Sequence, residues 1–287
     1  MFKDYYSLAK PGLVYGNLIP VIAGFALGAE GGFSTSTFFI LAATMIGIAF
    51  VMASGCVFNN YIDRDIDAEM ERTKDRPLVT GRISGASAIF YGLCLGFIGF
   101  YALLVYTNWL AAIVAGFGFF AYIVLYSGWG KRSTIYGPQV GALAGAVPPI
   151  VGYTAASGWL DVGAVILFAI IFFWQIPHFF AIAMYRADDY EAAEIPVLPV
   201  KKGLLATKAS ILLYIAAFIV ANSMLTISGY LGYRYLLFSL IFGLLWFAFG
   251  ITGFFAHDEK RWARKMFFLS LIVMVAIFVG ITLAAIA

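Results

Sequence analysis

The sequence predicts an all-α membrane protein, a single bundle of about nine transmembrane helices. Of its 287 residues, 63% are hydrophobic and only 11% are charged, whereas soluble domains are nearer half apolar and a quarter charged. The apolar residues fall into stretches of about 20, the length that crosses a bilayer as a helix. Lys and Arg are concentrated in alternate joints between these stretches. No soluble domain is indicated, so residues 1–287 are predicted to form one polytopic domain.

Nine apolar stretches account for most of the chain, and charged or turn-forming residues separate them. The first has no small-residue cleavage site after a short apolar core, so it is predicted to be a spanning helix rather than a signal peptide. In the fifth, Pro148 and Pro149 break the helix. Their freed carbonyls either line a cavity or mark a packing kink. The predicted helices are 13–30, 37–62, 85–106, 109–128, 135–155, 161–185, 207–227, 231–254 and 265–286.

The charged residues predict an orientation. With nine spans, every Lys and Arg except Arg234 lies on the side of the N-terminus. Basic residues favour the cytoplasmic side, so we expect a cytoplasmic N-terminus and an outside C-terminus in a bacterial plasma or inner membrane. The acidic residues share this side except for Glu30 and Asp161, which topology does not require. The net charge of +3 is too small to indicate a nucleic-acid partner.

The first acidic stretch, "NNYIDRDID", follows the second predicted helix. Asn59, Asp63 and Asp67 are spaced i, i+4, i+8 and share one face if the helix continues. Asn60 borders that face, while Asp65 points elsewhere. Carboxylate and amide oxygens suit Mg²⁺, which typically takes one or two protein carboxylates together with phosphate oxygens. The spacing therefore predicts a magnesium site at this membrane face.

A second acidic stretch, "YRADDYEAAEIPVLP", follows the sixth predicted helix on the same side, where Asp188 and Asp189 offer further ligands. Two such clusters facing each other would hold two metal ions with a diphosphate between them. Basic side chains that suit phosphate oxygens lie nearby. The alternative is that both stretches are ordinary solvated loops with surface ion pairs. The basic candidates are Arg72, Lys74, Arg76, Arg82, Lys131 and Arg132.

Several blocks of sequence resemble a known family. "NNYIDRDID" resembles the N-D/N-x-x-D-x-x-x-D motif of the intramembrane aromatic prenyltransferase superfamily. More narrowly, the chain resembles the protohaem IX farnesyltransferases, or haem O synthases, over nearly its whole length. The blocks that carry this resemblance are "ASGCVFNNYIDRDIDAEMERTKDRPL", "GAVPPIVGY", "FWQIPHFFAIAMYRADDYEAAEIPVLPV" and "RWARKMF".

The resemblance implies a reaction. Mg²⁺-dependent transfer would move farnesyl from farnesyl diphosphate to the 2-vinyl group of haem B, with water adding a hydroxyl, to give haem O and diphosphate. Haem B is then a substrate and not a cofactor. The expected partners are these two substrates, the lipid bilayer, and haem A synthase or a terminal oxidase. The second acidic region, with Asp188, Asp189 and Glu191, departs from the superfamily's common DxxxD pattern.

Site roles follow in the same way. The residues expected to be catalytic are Asn59, Asn60, Asp63, Asp67 and Lys131, the last lying a few residues beyond Tyr126 as the diphosphate-contacting Lys of the superfamily does. The expected metal ligands are Asn60, Asp63, Asp67, Asp188 and Asp189. The expected substrate-binding residues are Arg72, Lys74, Arg76, Tyr126, Arg132, Trp174, Gln175 and His178.

His178 has three possible roles. A polar residue inside a span is a functional-site hypothesis by default, so it could ligate haem iron or act as a base near the vinyl group. It could also be a hydrogen-bonded core residue. Two rival functions remain open as well. One is a sibling prenyltransferase acting on a quinone precursor, and the other is an ion-coupled transporter, which predicts carboxylates near the bilayer midplane.

Overall fold

Nine long apolar helices dominate the computed structural model, which describes residues 1–29, 32 and 34–287. Each is long and apolar enough to cross a membrane, which confirms the predicted fold class of a multi-pass helical membrane protein. The helices are α1 (Pro11–Gly28), α2 (Thr35–Ile62), α3 (Gly85–Tyr106), α4 (Trp109–Ser133), α5 (Gly137–Ser157), α6 (Val162–Tyr185), α7 (Leu198–Ile227), α8 (Tyr233–Phe255) and α9 (Glu259–Ile286).

The helices form a closed ring. Neighbours in sequence pack against each other, and α9 packs against α1, which closes the ring. Helix α1 also packs closely on α5, and α6 packs on α9. Six of the nine helices, namely α1, α2, α4, α5, α6 and α9, surround a central cavity. Large apolar side chains on the outside of the ring, such as Phe97, Trp109 and Leu245, are exposed, as expected for a surface that contacts lipid.

Glycines bring α1 and α5 into backbone contact. A Cβ atom added at Gly24 would lie 1.9 Å from the carbonyl oxygen of Pro149, and one added at Gly152 would lie 2.1 Å from that of Val21. Any side chain at either position would force the two helices apart. Small residues that allow such close approach are typical of helix packing in membranes.

Three helices differ from their predicted form at one end. Helix α7 begins at Leu198 and turns at Gly203, whose φ is 81°. Helix α9 begins at Glu259. Both starts were missed because the first turns carry charged residues, which an apolar window excludes. Helix α4 extends to Ser133, beyond the predicted residue 128. Residue 30, predicted to end the first helix, lies outside the described residues.

Two helices are irregular beside the cavity. Residues Ala121–Gly130 of α4 form a π-helix, a conformation often found at functional sites. Helix α5 is interrupted at Ala146, between Gly137–Gly145 and Val147–Ser157. Because Gly145, Val147 and Pro148 line the cavity, the break before the two prolines lies at the cavity wall.

Short helices carry both acidic stretches. Arg64–Glu69 follows α2 almost without interruption, and Ala187–Ala192 follows α6. Another short helix, Phe2–Leu8, precedes α1. Lys10 joins that helix to α1 with a left-handed backbone, φ 47°, which is unusual for a residue with a side chain. This bend places Lys10 beside the end of α2.

Candidate active site

The centre of the site is a buried pair, Asn59 and Asp63, at the end of α2. Asp63 is 1% exposed. Its Oδ2 accepts hydrogen bonds from Asn59 Nδ2 at 2.8 Å and from Lys131 Nζ at 2.6 Å. Lys10 Nζ donates to Asn59 Oδ1 at 2.5 Å. The fold therefore brings two lysines, distant in sequence, to one amide and one carboxylate.

Arginines pair with the neighbouring carboxylates. Arg76 Nη1 donates to the buried Asp67. Arg132 donates to both oxygens of Asp65 at 2.6 Å and to the carbonyl of Ile62 at 2.8 Å. The Arg132 guanidinium lowers the pKa of the Asp65 carboxyl to about 2. Asp65 turns away from the centre, as predicted, and ties the end of α4 to the acidic stretch.

Asn60 contacts a different part of the molecule. Its Nδ2 donates to the carbonyls of Leu8 and Cys56, both at 2.9 Å. Asn60 thus anchors the short N-terminal helix against α2, while its side-chain oxygen stays out of these bonds. The anchoring places the N-terminal segment, including Lys10, over the buried centre.

The second acidic stretch divides into a surface part and a buried part. Asp188 is on the surface, with a side chain 82% exposed, and pairs with Lys260 at 2.6 Å. Asp189 is mostly buried and lies 3.7 Å from Arg186. Burial raises the pKa of the neighbouring Tyr190 phenol, and the positive charge of Arg72 opposes this rise. Arg72 therefore lies near Tyr190, and it also lies within electrostatic range of Tyr126.

Not all of the predicted residues converge. Lys74 pairs with Glu71 at 2.7 Å on the surface, so neither Lys74 nor Asp188 is directed at the buried centre. Within the described ranges, no three acidic, His or Cys side chains form a ready-made metal cluster. The residues that do converge are Asn59, Asp63, Asp67, Arg76 and Lys131.

Two carboxylate oxygens favour metal binding at this site. Asp63 Oδ1 and Asp189 Oδ2 are fully buried, and among the described residues neither has a hydrogen-bond partner. The nearest cations are guanidinium nitrogens at longer distance, of Arg132 at 3.8 Å from Asp63 Oδ1 and of Arg186 at 3.7 Å from Asp189 Oδ2. A buried carboxylate oxygen without a hydrogen bond is costly, and a divalent cation would satisfy it. One such oxygen belongs to each acidic stretch. The donor set of carboxylate oxygens, together with phosphate oxygens from a substrate, is the set that Mg²⁺ prefers.

An apolar cavity of about 470 Å³ lies inside the ring, beside this centre. Cys56, one turn before Asn59, lines it, as do Tyr122 and Tyr126 of the π-helical segment. The two tyrosine rings are stacked, with centroids 5.9 Å apart. The apolar cavity thus lies beside the charged centre, since α2 and α4 contribute residues to both.

The deep wall of the cavity is built by α6 and α9. Trp174, Gln175 and His178 line it, with Phe267 from α9. His178 Nδ1 lies 2.8 Å from Ser270 Oγ, and Trp174 Nε1 donates to the Ser270 carbonyl at 2.7 Å. Gly141, Ala144 and Gly145 of α5 line the cavity as well. Gly145 lies directly against Gln175, whose Oε1 would be 1.9 Å from a Cβ atom at that position. The four residues predicted from the aromatic blocks, Tyr126, Trp174, Gln175 and His178, therefore share one cavity.

Sequence reasoning assigned no role to Lys10, Ser127 or Tyr122. Burial lowers the pKa of the Lys10 ammonium to about 8. Ser127 Oγ accepts from Asn59 Nδ2 at 2.8 Å and donates to the Tyr122 carbonyl at 2.9 Å. Lys10 lies 49 residues from its partner, so no local spacing reveals it. The one feature of the sequence that could have pointed to Lys10 is its position immediately before Pro11 and the first spanning helix.

Comparison with known proteins identifies the class that this fold and site define. Residues 17–272 match the UbiA prenyltransferase family, and the chain belongs to that family. A structure of a UbiA homolog from Archaeoglobus fulgidus bound to GPP and Mg²⁺ superposes with a TM-score of 0.75 at 18% identity, covering 97% of this chain and 99% of that one. A structure from work on digeranylgeranylglyceryl phosphate synthase gives 0.80 at 20% identity, covering 99% and 98%.

Particular relatives narrow the class. Protoheme IX farnesyltransferase from Protochlamydia amoebophila is 49% identical over 96% of this chain and 95% of its own length. Protoheme IX farnesyltransferase 2 from Pseudomonas aeruginosa strain UCBPP-PA14 is 50% identical over 96% and 92%. These comparisons confirm the resemblance found in the sequence blocks. They favour an enzyme over an ion-coupled transporter.

Proposed function

We propose that this protein transfers farnesyl from farnesyl diphosphate to the 2-vinyl group of haem B in a Mg²⁺-dependent reaction. Water adds a hydroxyl, and haem O and diphosphate are the products. The observation that carries the proposal is the position of a buried charged centre, at Asn59 and Asp63, beside an apolar cavity that Cys56 and His178 line. The relatives named protoheme IX farnesyltransferase support the choice of acceptor.

The charged centre binds the diphosphate. Lys131 and Arg76 pair with the carboxylates of Asp63 and Asp67, and Lys10 donates to the neutral amide of Asn59. Their ammonium and guanidinium groups can turn from these partners to phosphate oxygens. Asp63, Asp67 and Asp189 would hold Mg²⁺, with Asn60 as a further candidate. The bound metal supplies positive charge that stabilises the departing diphosphate.

The cavity receives the farnesyl chain and controls water. Its lining is mostly apolar, so an allylic cation formed there is protected from hydrolysis. The stacked faces of Tyr122 and Tyr126 lie between the charged centre and the deep wall. Aromatic faces stabilise a cation by their quadrupole without forming a bond to it. We therefore assign Tyr122 and Tyr126 the role of stabilising the farnesyl cation before it reacts with the acceptor.

The deep wall receives the acceptor. Haem is a flat, largely apolar ring, and the cavity that Trp174 and His178 line is mostly apolar, with small residues along α5. With the diphosphate at Asp63 and the haem at His178, the vinyl group and the first farnesyl carbon meet in the cavity between them. Binding the two substrates in one enclosure supplies the proximity that the alkylation needs.

The membrane setting follows from the charges. The N-terminus and both acidic stretches are proposed to face the cytoplasm, in a bacterial plasma or inner membrane, since basic residues concentrate on that side. Both substrates suit a bilayer-embedded site. Delivery of the product to haem A synthase or a terminal oxidase stays a prediction.

The test is an assay of purified protein in detergent with two acceptors. Farnesyl diphosphate and Mg²⁺ are supplied with haem B or with 4-hydroxybenzoate, a quinone precursor. Chromatography and mass spectrometry then measure each product. Haem O formed from haem B, with no prenylated benzoate, is the expected result. Prenylation of 4-hydroxybenzoate alone would contradict the proposal and indicate a prenyltransferase that acts on a quinone precursor.

A further inference from the structure

Ser270 of α9 holds two polar atoms of α6. Trp174 Nε1 donates to its carbonyl oxygen at 2.7 Å, and His178 Nδ1 lies 2.8 Å from its hydroxyl. The hydroxyl also donates to the carbonyl of Phe267 at 2.6 Å. Ser270 is fully buried, so water does not compete for these bonds.

The hydrogen bonds of Ser270 determine the tautomer of His178. A serine hydroxyl has one hydrogen, and here that hydrogen is directed to the Phe267 carbonyl. The hydroxyl can therefore only accept from His178, so Nδ1 must carry the proton. In neutral imidazole the other nitrogen then has a free lone pair. Nε2 is that nitrogen.

The Nε2 lone pair faces the cavity. His178 lines the cavity, and within the described part of the chain Nε2 has no hydrogen-bond partner and is not among the enclosed polar atoms. The ring lies between Trp174, with centroids 4.9 Å apart, and Phe267, with centroids 4.8 Å apart. Two rings and one hydrogen bond thus hold the imidazole in a single orientation.

The environment of His178 favours a role as a metal ligand over a role as a general base. A base must become an imidazolium, and His178 is 9% exposed among aromatic rings with a neutral serine as its partner. Among the residues that the structure describes, no carboxylate contacts it to balance a positive charge, and burying an unpaired charge is costly. A ligand stays neutral. A histidine that donates through one nitrogen to a fixed acceptor and binds a metal through the other is the usual arrangement at metal sites.

We infer that His178 Nε2 is an axial ligand to the iron of the haem substrate, and that Ser270 is the positioning residue that fixes its tautomer and direction. The inference rests on the proposed function for the identity of the substrate. The lone pair of Nε2 forms a coordination bond to iron, with no transfer of protons or electrons. A bond from His178 to the iron would fix the position of the haem ring in the cavity relative to the farnesyl donor.

The experiment is haem titration of purified protein in detergent, without farnesyl diphosphate. Optical spectra give the affinity for haem B, and resonance Raman spectra of the ferrous form give the iron–histidine stretch. The variants are His178→Ala, Ser270→Ala and Ser270→Thr, which keeps the hydroxyl. Ser223→Ala is the matched control, because Ser223 also donates to its own helix, at Ile219, but lies outside the cavity lining.

Wild-type protein should show a histidine-ligated spectrum that His178→Ala loses and added imidazole restores. Ser270→Ala should weaken haem binding about 10-fold or more and lower the stretching frequency, whereas Ser270→Thr and Ser223→Ala should resemble wild type. An unchanged spectrum in His178→Ala overturns the ligand assignment. Ser270→Ala indistinguishable from Ser223→Ala overturns the positioning role. Farnesyl diphosphate and Mg²⁺ are then added to the same haem-loaded protein. Histidine-ligated haem that forms no haem O under these conditions overturns the proposed function and leaves the haem-ligand assignment standing.

Discussion

Asp63 is the residue on which the charged centre depends. It accepts hydrogen bonds from Asn59 and Lys131 through Oδ2, whereas Oδ1 is buried without a hydrogen bond among the described residues, 3.8 Å from Arg132. A carboxylate held through one oxygen can offer the other to a metal without losing its position. Asp63 thus orients Lys131 and is the proposed metal ligand. Both roles require the negative charge of the side chain and not only its size.

Replacing Asp63 tests that importance. Asp63→Asn keeps the size but removes the charge, so we expect kcat for haem O formation to fall by about 100-fold or more, the usual cost of losing a preorganised charge at a reacting centre. Glu71→Gln, in the same acidic stretch but 80% exposed, should change kcat by less than about twofold. Equal effects of the two substitutions would contradict the assignment.

Lys10 should contribute binding and a pH dependence. Hydrogen bonds to charged groups are worth about 1.5–3 kcal/mol, so Lys10→Met should raise KM for farnesyl diphosphate about 10-fold or more. Because the pKa of Lys10 is lowered to about 8, the ammonium is charged below that pH and neutral above it. The kcat/KM of wild type should therefore fall as pH rises through about 8. Lys10→Arg keeps its charge and should lose this fall; persistence of the same decline would rule Lys10 out as its source.

At the scale of the helices, backbone contact between α1 and α5 holds one side of the ring. Gly24→Ala places a methyl group 1.9 Å from the Pro149 carbonyl oxygen, whereas Gly16→Ala on the same helix meets nothing within 4 Å. We expect Gly24→Ala to destabilise the protein by about 1–3 kcal/mol and Gly16→Ala to be close to neutral. Thermal unfolding in detergent measures both, and equal midpoints would mean that α1 and α5 are not packed this closely.

Helix number could be predicted from sequence, but local helix geometry could not. Apolar length identifies all nine spans because each must cross the same thickness of hydrocarbon. The π-helical segment at Ala121–Gly130 leaves no mark in hydropathy, although it presents Tyr122 and Tyr126 to the cavity. Hydropathy assigns the charged first turns of α7 and α9 to loops. A charged residue is unfavourable in the hydrocarbon core but not in a helix, so each helix extends further than its apolar stretch.

The site was predictable where its residues are close in sequence. The i, i+4 spacing of Asn59 and Asp63 anticipated their hydrogen bond. The contacts of Asn59 with Lys10 and of Asp63 with Lys131 depend on how α1, α2 and α4 meet, which no single segment encodes. The same limit applies to Ser270, which is 92 residues from His178.

At the scale of the whole molecule, the distribution of charge predicts the orientation in the membrane. All Lys and Arg except Arg234 fall on the side of the N-terminus, so that side should be cytoplasmic. Alkaline phosphatase, which is active only outside the cytoplasm, should be active when fused after Ala287 and inactive when fused after Thr80. The opposite pattern would place the charged centre outside the cell and contradict the proposed cytoplasmic position of both acidic stretches.

The central claim is that the charged centre and the apolar cavity form one active site. The most direct measurement is a structure of the protein with Mg²⁺, haem B and farnesyl thiolodiphosphate, an analogue that resists ionisation. We predict density for the diphosphate between Asp63 and Lys131, the farnesyl chain passing Tyr126, and the haem at His178. A diphosphate bound away from Asp63, or a haem outside this cavity, would contradict the account.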